Sequence, residues 1–434
     1  MRYRSTRGAL PVKLDEALVS GMASDGGLFL PEKLPTFTPA DFENAHQVED
    51  IALAFLKPFF EGSLLADHLP EIIAETFSFP MPVTDLPVEV GSCGLLELFH
   101  GPTAAFKDVG AGFLAACLSR LDVERGDPLT ILVATSGDTG GAVAAAFDGR
   151  PGMRVAVLYP EGRVSARQAQ QLTCWGPNVL SLAVDGTFDE CQALVKGAMG
   201  NEILKTRHRF SSANSINIGR LLPQAIYYAK ASLTHWRQTG RKLSFIVPTG
   251  NLGNAFGCYV AREMGLPISK LVLATNSNRI IVDYLDGVVW TPRSSIETLA
   301  SAMDVGNPSN MERLRSYSGD ASALAKRIQA VSVSDPEIEE EIRKNFLEFG
   351  FATCPHTATA SFAWRALSKD EKLSEDWIMV ATAHAAKFDQ IVEPIIGQEI
   401  SVPDALQKIL ARESEFTTIQ TTLDSLTTAL DDGF

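Results

Sequence analysis

The 434-residue sequence predicts an α/β fold built on mostly parallel sheets, preceded by an N-terminal accessory domain. Three observations predict it. From about Leu95 onward, short apolar β-rich runs alternate with helical stretches, separated by Gly-rich turns. The first 90 residues lack that rhythm, and a charged stretch over about 280–350 interrupts it. Strands that alternate with helices pair in parallel and are covered on both faces, and ligands then bind at the carboxyl ends of the strands.

The elements follow in order. LDEALVSGMASDGGLFLPEKLP reads as a short helix, a glycine turn and a strand, and DFENAHQVEDIALAFLKPFF as a helix with Pro58 near its end. LTILVATSGDTGGAVAAAF, from Leu129, is a strand, a Gly-rich turn and an Ala-rich helix. MRVAVLYPEG is a strand followed by the helical SARQAQQLTCWG; NVLSLAVDG is a strand followed by the helical TFDECQALVKGAMG. LLPQAIYYAKASLTHWRQTG is a long helix leading to the strand KLSFIVPTG, the helix AFGCYVAREMG and the strand KLVLATN. After the 280–350 insertion, DWIMVATAHAAKF returns as a strand and loop. The expected domains are 1–90 and 91–434, with no internal repeat.

Composition narrows the function classes. Hydrophobic residues make up 45 % and charged residues 21 %, a soluble globular balance. A net charge of −14 argues against nucleic acid and anionic membranes as partners. No secretory signal or membrane-length apolar run is visible, so the expected location is the cytoplasm. None of the six cysteines forms a CxxC pair or sits at metal-ligand spacing, so they read as reduced structural thiols and no metal is expected.

Five strings can carry chemistry. In GLLELFHGPTAAFKDVGAGF, Lys107 stands where a strand passes through a Gly-Pro turn into a helix. It reads either as a partly desolvated amine, with a lowered pKa suited to carbonyl addition, or as a solvated lysine at a helix start. In FIVPTGNLGNAFG, Gly250 and Gly253 bracket Asn251 ahead of a helix. Backbone N–H groups and the helix N-terminus there can cradle a phosphate without a cation, or the string is an ordinary tight turn. In TSGDTGG, Ser136, Thr139 and neighbouring amides can hold an anion, provided that Asp138 faces a donor; the alternative is a capped helix start. In VATAHAAKF, Thr382, His384 and Lys387 lie where a strand runs out, with His384 read as structural. In SSANSINIGR, Ser215, Asn217 and Arg220 can bind a polar ligand or cap the long helix.

Taken together and in this order, LELFHGPTAAFKD, TSGDTGG, SSANSINIGR, VPTGNLGNAFG and ATAHAAKF resemble the threonine synthases, within the fold type II pyridoxal-phosphate enzymes. RYRSTRG and SDGGLFLPE resemble the start of that family, so the likeness covers nearly the whole chain. Ala104 and Ala385 depart from the commonest wording, and Asp138 stands where many fold type II relatives have Asn. The resemblance implies two open, mostly parallel-sheet subdomains of tryptophan synthase β-like architecture, the smaller and mobile one over about 110–220. It also implies pyridoxal 5′-phosphate as cofactor and O-phosphohomoserine as substrate, converted with water to threonine and phosphate by γ-elimination and β-addition. Lys107 would attach the cofactor and move protons. Thr249, Gly250, Asn251, Leu252, Gly253 and Asn254 would hold the cofactor's phosphate, and Thr382 would face its ring nitrogen. Asp138 would face its phenolic oxygen or the lysine. Thr103, Ser136, Gly137 and Thr139 would lie against the substrate, with Asn217, Arg220 and Lys387 for its phosphate. A serine/threonine dehydratase-like or cysteine synthase-like enzyme shares the lysine and the glycine loop. A non-catalytic cofactor binder fits less well, because the reactive residues are intact. A dinucleotide binder would need a GxGxxG string that is absent. Monomer and homodimer both remain open.

Overall fold

Three of the apolar runs that the sequence marks as strands are buried along their whole length. In the computed structural model, which describes residues 1–121, 127–135 and 137–434, every residue of Leu129–Ala134, Leu243–Pro248 and Asp376–Ala381 is buried. Continuous burial is what a parallel strand covered by helices on both faces requires. Among the described residues the strands form three sheets.

The large sheet has the order Gln329–Ser332, Ile268–Thr275, Leu243–Pro248, Asp376–Ala381, Ser92–Glu97, Val83–Asp85. All neighbours run parallel except the last pair. The small sheet is parallel throughout, in the order Thr417–Ile419, Val179–Val184, Met153–Pro160, Leu129–Ala134, Phe210–Ser212. The N-terminal residues form a third, antiparallel sheet in which Arg2–Ser5 lies between Val12–Lys13 and Phe29–Pro31. The helix Val48–Phe60 packs beside it. Ile51, Phe55, Phe59 and Phe60 recur at helical spacing and are buried, and Phe60 meets Phe113 edge to face at 6.0 Å.

Among the strands that the sequence pattern did not place, three redraw the expected boundaries. Val83–Asp85 precedes residue 90 yet joins the large sheet, because a short connection suffices to fold it back antiparallel on Ser92–Glu97. Gln329–Ser332, inside the charged insertion, adds an edge strand to the same sheet. Thr417–Ile419, far outside 110–220, extends the small sheet. It is held there because Leu426 and Leu430 of the following helix Leu423–Gly433 join the cluster formed by Leu158, Leu182 and Val184. No helix among the described residues is long and apolar enough to cross a membrane.

Candidate active site

The parallel strands Ser92–Glu97 and Asp376–Ala381 end side by side, and the chain after each is stitched to the other. Phe106 N–H donates to Thr382 O (2.8 Å), His384 N–H donates to Ala104 O (3.0 Å), and Ala105 bridges Ala383. Ala104 takes a left-handed backbone (φ 53°) in this turn. Lys107 follows as the first residue of the helix Lys107–Leu121, its side chain largely buried.

Burial pulls the Lys107 amine down to about 8; the Asp138 carboxylate opposes that shift, while Lys387 and Arg220 reinforce it. Asp138 opens the helix Asp138–Phe147. Its Oδ1 lies 3.0 Å from Lys387 Nζ and its Oδ2 4.0 Å from Lys107 Nζ. Burial alone would raise the Asp138 carboxyl, but Lys387 and Lys107 outweigh it and hold the group well below the usual carboxylate range. The aspartate that is out of place in an anion-binding string thus faces two ammonium groups. Lys387 is fully enclosed and also donates to Thr103 O at 2.7 Å. Thr103 in turn binds the buried Asp108 through its N–H (2.9 Å) and hydroxyl. Burial pushes Asp108 up to about 6.

The turn before Asp138 is organised by Thr135, a residue that the sequence pattern does not single out. Thr135 Oγ1 accepts from Gly137 N–H (3.0 Å) and Gly140 N–H (2.9 Å) and donates to Gly137 O (3.0 Å). Gly137 has φ 141° and ψ −97°, a region closed to residues with a Cβ. Ser136 lies outside the described residues.

Across the cavity, the strand Leu243–Pro248 runs through residues 249–252 into the helix Gly253–Glu263. Leu252 adopts a left-handed backbone (φ 64°) at the helix start, a turn conformation that can present successive N–H groups to one anion. A Cβ on Gly250 would stand 2.6 Å from Met303 Cα, so that position admits only glycine. Thr249 is held to the sheet by its N–H on Ala274 O (2.8 Å). Asn254 accepts at Oδ1 from the hydroxyls of Tyr227 and Tyr228, leaving its buried Nδ2 without a partner. No charged side chain belongs to residues 249–254. Neutral amides, a helix N-terminus and a free amide donor suit a phosphate.

Lys107, Asp138, Thr139, Arg220, Thr249–Asn254 and Thr382 all line one cavity of about 1670 Å³ between the sheets. Thr103, Gly137, Asn217 and Lys387 do not line it. The Asn217 side chain donates to Leu18 O (2.9 Å) and Ser212 O (3.1 Å) and accepts from Gly219 N–H (3.0 Å), which ties the N-terminal domain to the loop. Arg220 donates to Ala213 O and keeps a buried Nε without a partner. Ser215 reaches the cavity and accepts from Asn251 Nδ2 at 2.7 Å. His384 caps the turn at 385–388, accepting from Ala386 N–H at 3.1 Å, a structural role.

His356 also lines the cavity, and no sequence string points to it. It sits at the start of the helix Pro355–Ala366, and burial lowers it to about 4, so the ring is neutral. Its Nε2 accepts from Ala302 N–H (3.1 Å), which places the ring proton on an Nδ1 that has no partner. Nothing in CPHTATA distinguishes this histidine from an ordinary core residue; only its position beside the 301–303 turn does so.

Comparison with known proteins gives the same direction. Residues 87–383 match the family model described as pyridoxal-phosphate dependent enzyme. Residues 2–77 match threonine synthase N terminus, and 357–429 match threonine synthase, C-terminal. The chain is 37 % identical to threonine synthase of Escherichia coli (strain K12) over 397 residues, 91 % of each chain. It is 38 % identical to that of Serratia marcescens over 397 residues, 91 % of this chain and 90 % of the relative. The crystal structure of threonine synthase from Brucella melitensis with bound pyridoxal phosphate superposes with a TM-score of 0.91 at 34 % identity, covering 100 % of this chain and 99 % of that one. The chain therefore belongs to the threonine synthase family of pyridoxal-phosphate-dependent enzymes.

Proposed function

We propose that this chain, in the cytoplasm, converts O-phospho-L-homoserine and water into L-threonine and phosphate. The observation that carries the reading is a desolvated amine, Lys107, sharing one cavity with a charge-free amide cradle at Gly250–Asn254. Pyridoxal phosphate supplies the conjugated ring that accepts electrons from the substrate's α-carbon. The cradle amides and Asn254 Nδ2 would grip its 5′-phosphate, and the Thr382 hydroxyl would meet the ring nitrogen.

The net change removes one proton from Cβ and delivers one to Cγ, while a proton leaves Cα and later returns. Lys107 suits that traffic, because an amine with a pKa near neutrality both accepts and returns protons. Asp138 stays ionised beside it and stabilises the lysine whenever it carries the proton. Arg220 forms no ion pair among the described residues and presents its guanidinium to the cavity, which suits a substrate anion. Thr139, which lines the cavity, would lie toward the substrate carboxylate. Asn217 and Lys387 act behind the site: the first anchors the loop that carries Arg220, the second holds Asp138.

The test is to incubate the cofactor-loaded protein with O-phosphohomoserine and assay phosphate and threonine together. Equimolar release supports the reading. Phosphate accompanied by a keto acid, or no phosphate at all, overturns it.

A further inference from the structure

The glycine loop carries no cation of its own, yet one is buried behind it. Arg313, on the helix Met311–Ser318, is fully enclosed. Its Nε donates to Phe29 O (3.0 Å), its Nη1 to Ser215 O (3.2 Å) and Asn310 Oδ1, and its Nη2 to Ile216 O. Every acceptor is neutral, and no carboxylate lies at ion-pair distance from Arg313 among the described residues. Glu312, the next residue, acts on Arg313 only through space, because its oxygens are bound by Arg7 and Thr6, so no carboxylate among the described residues contacts the guanidinium. A desolvated charge without a counter-ion is costly unless an anion compensates it nearby.

A chain of hydrogen bonds leads from this guanidinium to the loop. Asn310 accepts from Arg313 at Oδ1 and donates through Nδ2 to Asn251 O at 2.9 Å. Asn251 Nδ2 and Asn310 Nδ2 share Ser215 Oγ (2.7 and 3.3 Å), and Asn251 Oδ1 accepts from Ser309 N–H at 2.6 Å. The polarity runs one way. A cation at Oδ1 makes the Asn310 amide a stronger donor, and that donor on Asn251 C=O makes the N–H of the same peptide unit, which belongs to Leu252, a stronger donor in turn. Leu252 itself lines the cavity.

We propose that Arg313 is a positioning residue and the remote counter-charge of the cofactor's phosphate, acting through Asn310 and the Asn251–Leu252 peptide. The proposal rests on the reading that residues 250–254 hold that phosphate. It gives the charged insertion and the N-terminal strand Phe29–Pro31 a joint role, since together they enclose the cation that the loop lacks.

The experiment compares Arg313→Gln, Arg313→Lys, Asn310→Asp and Gly250→Ala with the unmodified chain. Two readouts besides turnover are the cofactor's dissociation constant for the apoprotein and the pH titration of the bound phosphate by 31P resonance. Circular dichroism of each apoprotein reports folding. Arg313→Gln is expected to weaken binding about tenfold or more, a change of about 1.4 kcal/mol, and to raise the pH at which the bound phosphate takes up a proton. Arg313→Lys, which keeps the charge, is expected to move both less. Asn310→Asp places an anion between the cation and the cradle and is expected to reproduce both effects. If Arg313→Gln fails to fold, Asn310→Asp decides. Unchanged binding and titration in the folded Arg313 and Asn310 variants, with both altered in Gly250→Ala, would overturn the counter-charge while leaving the cradle intact. If Gly250→Ala is also unchanged, the cradle reading itself fails and the proposal falls with it.

Discussion

At the Lys107 end of the cavity three charged side chains converge, with Asp138 3.0 Å from Lys387 and 4.0 Å from Lys107; at the other end, residues 249–254 contribute none. The first region works by placing opposite charges where water does not screen them, which sets protonation states. The second offers a helix N-terminus and backbone dipoles, which can hold an anion without titrating themselves. The difference matches the roles proposed for the two ends. A group that exchanges protons needs a tunable pKa, whereas a group that only anchors gains from a site indifferent to pH.

The sharpest break of this contrast is Lys107→Ala. Loss of the only amine of the pair that reaches the cavity should lower turnover by roughly a thousandfold or more, within the range for removing a general base, and abolish the visible absorbance of the loaded enzyme. Retention of both would remove Lys107 from the chemistry.

Asp138→Asn comes next, because it strips Lys387 of its carboxylate. Leaving a buried ammonium unpaired should cost about 3 kcal/mol in thermal or denaturant unfolding. It should also lower the Lys107 pKa further, since Asp138 is the group that holds it up. The pH dependence of cofactor capture by the apoprotein reads this directly: half-maximal capture is expected near pH 8 in the unmodified chain and lower in the variant. An unshifted midpoint would separate Asp138 from the lysine. The sign extends to stability. The folded pKa of Lys107, about 8, lies below its ordinary 10.5, so the penalty for burying the cation is full below pH 8 and fades as pH rises toward 10.5.

The neutral end should respond through affinity and leave the lysine's own pH dependence unmoved. Gly250→Ala puts a Cβ 2.6 Å from Met303 Cα, and cofactor binding should weaken roughly tenfold, about 1.4 kcal/mol, with the capture midpoint unmoved. A shifted midpoint would mean that the two ends are not electrostatically separate. Thr382→Val is expected to be mildest, keeping the cofactor and slowing turnover about several-fold, by loss of one hydrogen bond. Unchanged kinetics would place its hydroxyl outside the reacting set.

Much of this arrangement was legible in the chain. The strand–turn–helix rhythm and the strings around Lys107, Asp138, Gly250 and Thr382 are local patterns, and local patterns survive without knowledge of the fold. What was not legible came from residues whose roles depend on partners far away. His356 looks like any buried histidine until Ala302 takes its Nε2. Asn217 and Lys387 look like ligands until Leu18, Asp138 and Thr103 claim them. Thr417–Ile419 is too short and too exposed to announce itself as a strand.

By itself, then, the sequence determined the α/β class and the family likeness, and it pointed to Lys107 as the candidate amine, because each rests on residues close together in the chain. Only the tertiary structure decided which charges face one another, that the insertion roofs the glycine loop through Met303, and that Arg313 is sealed behind it. Those facts arise from contacts between segments up to hundreds of residues apart, as between Arg313 and Phe29. Burial and pairing, which set both the cost and the use of a charge, exist only once those segments meet.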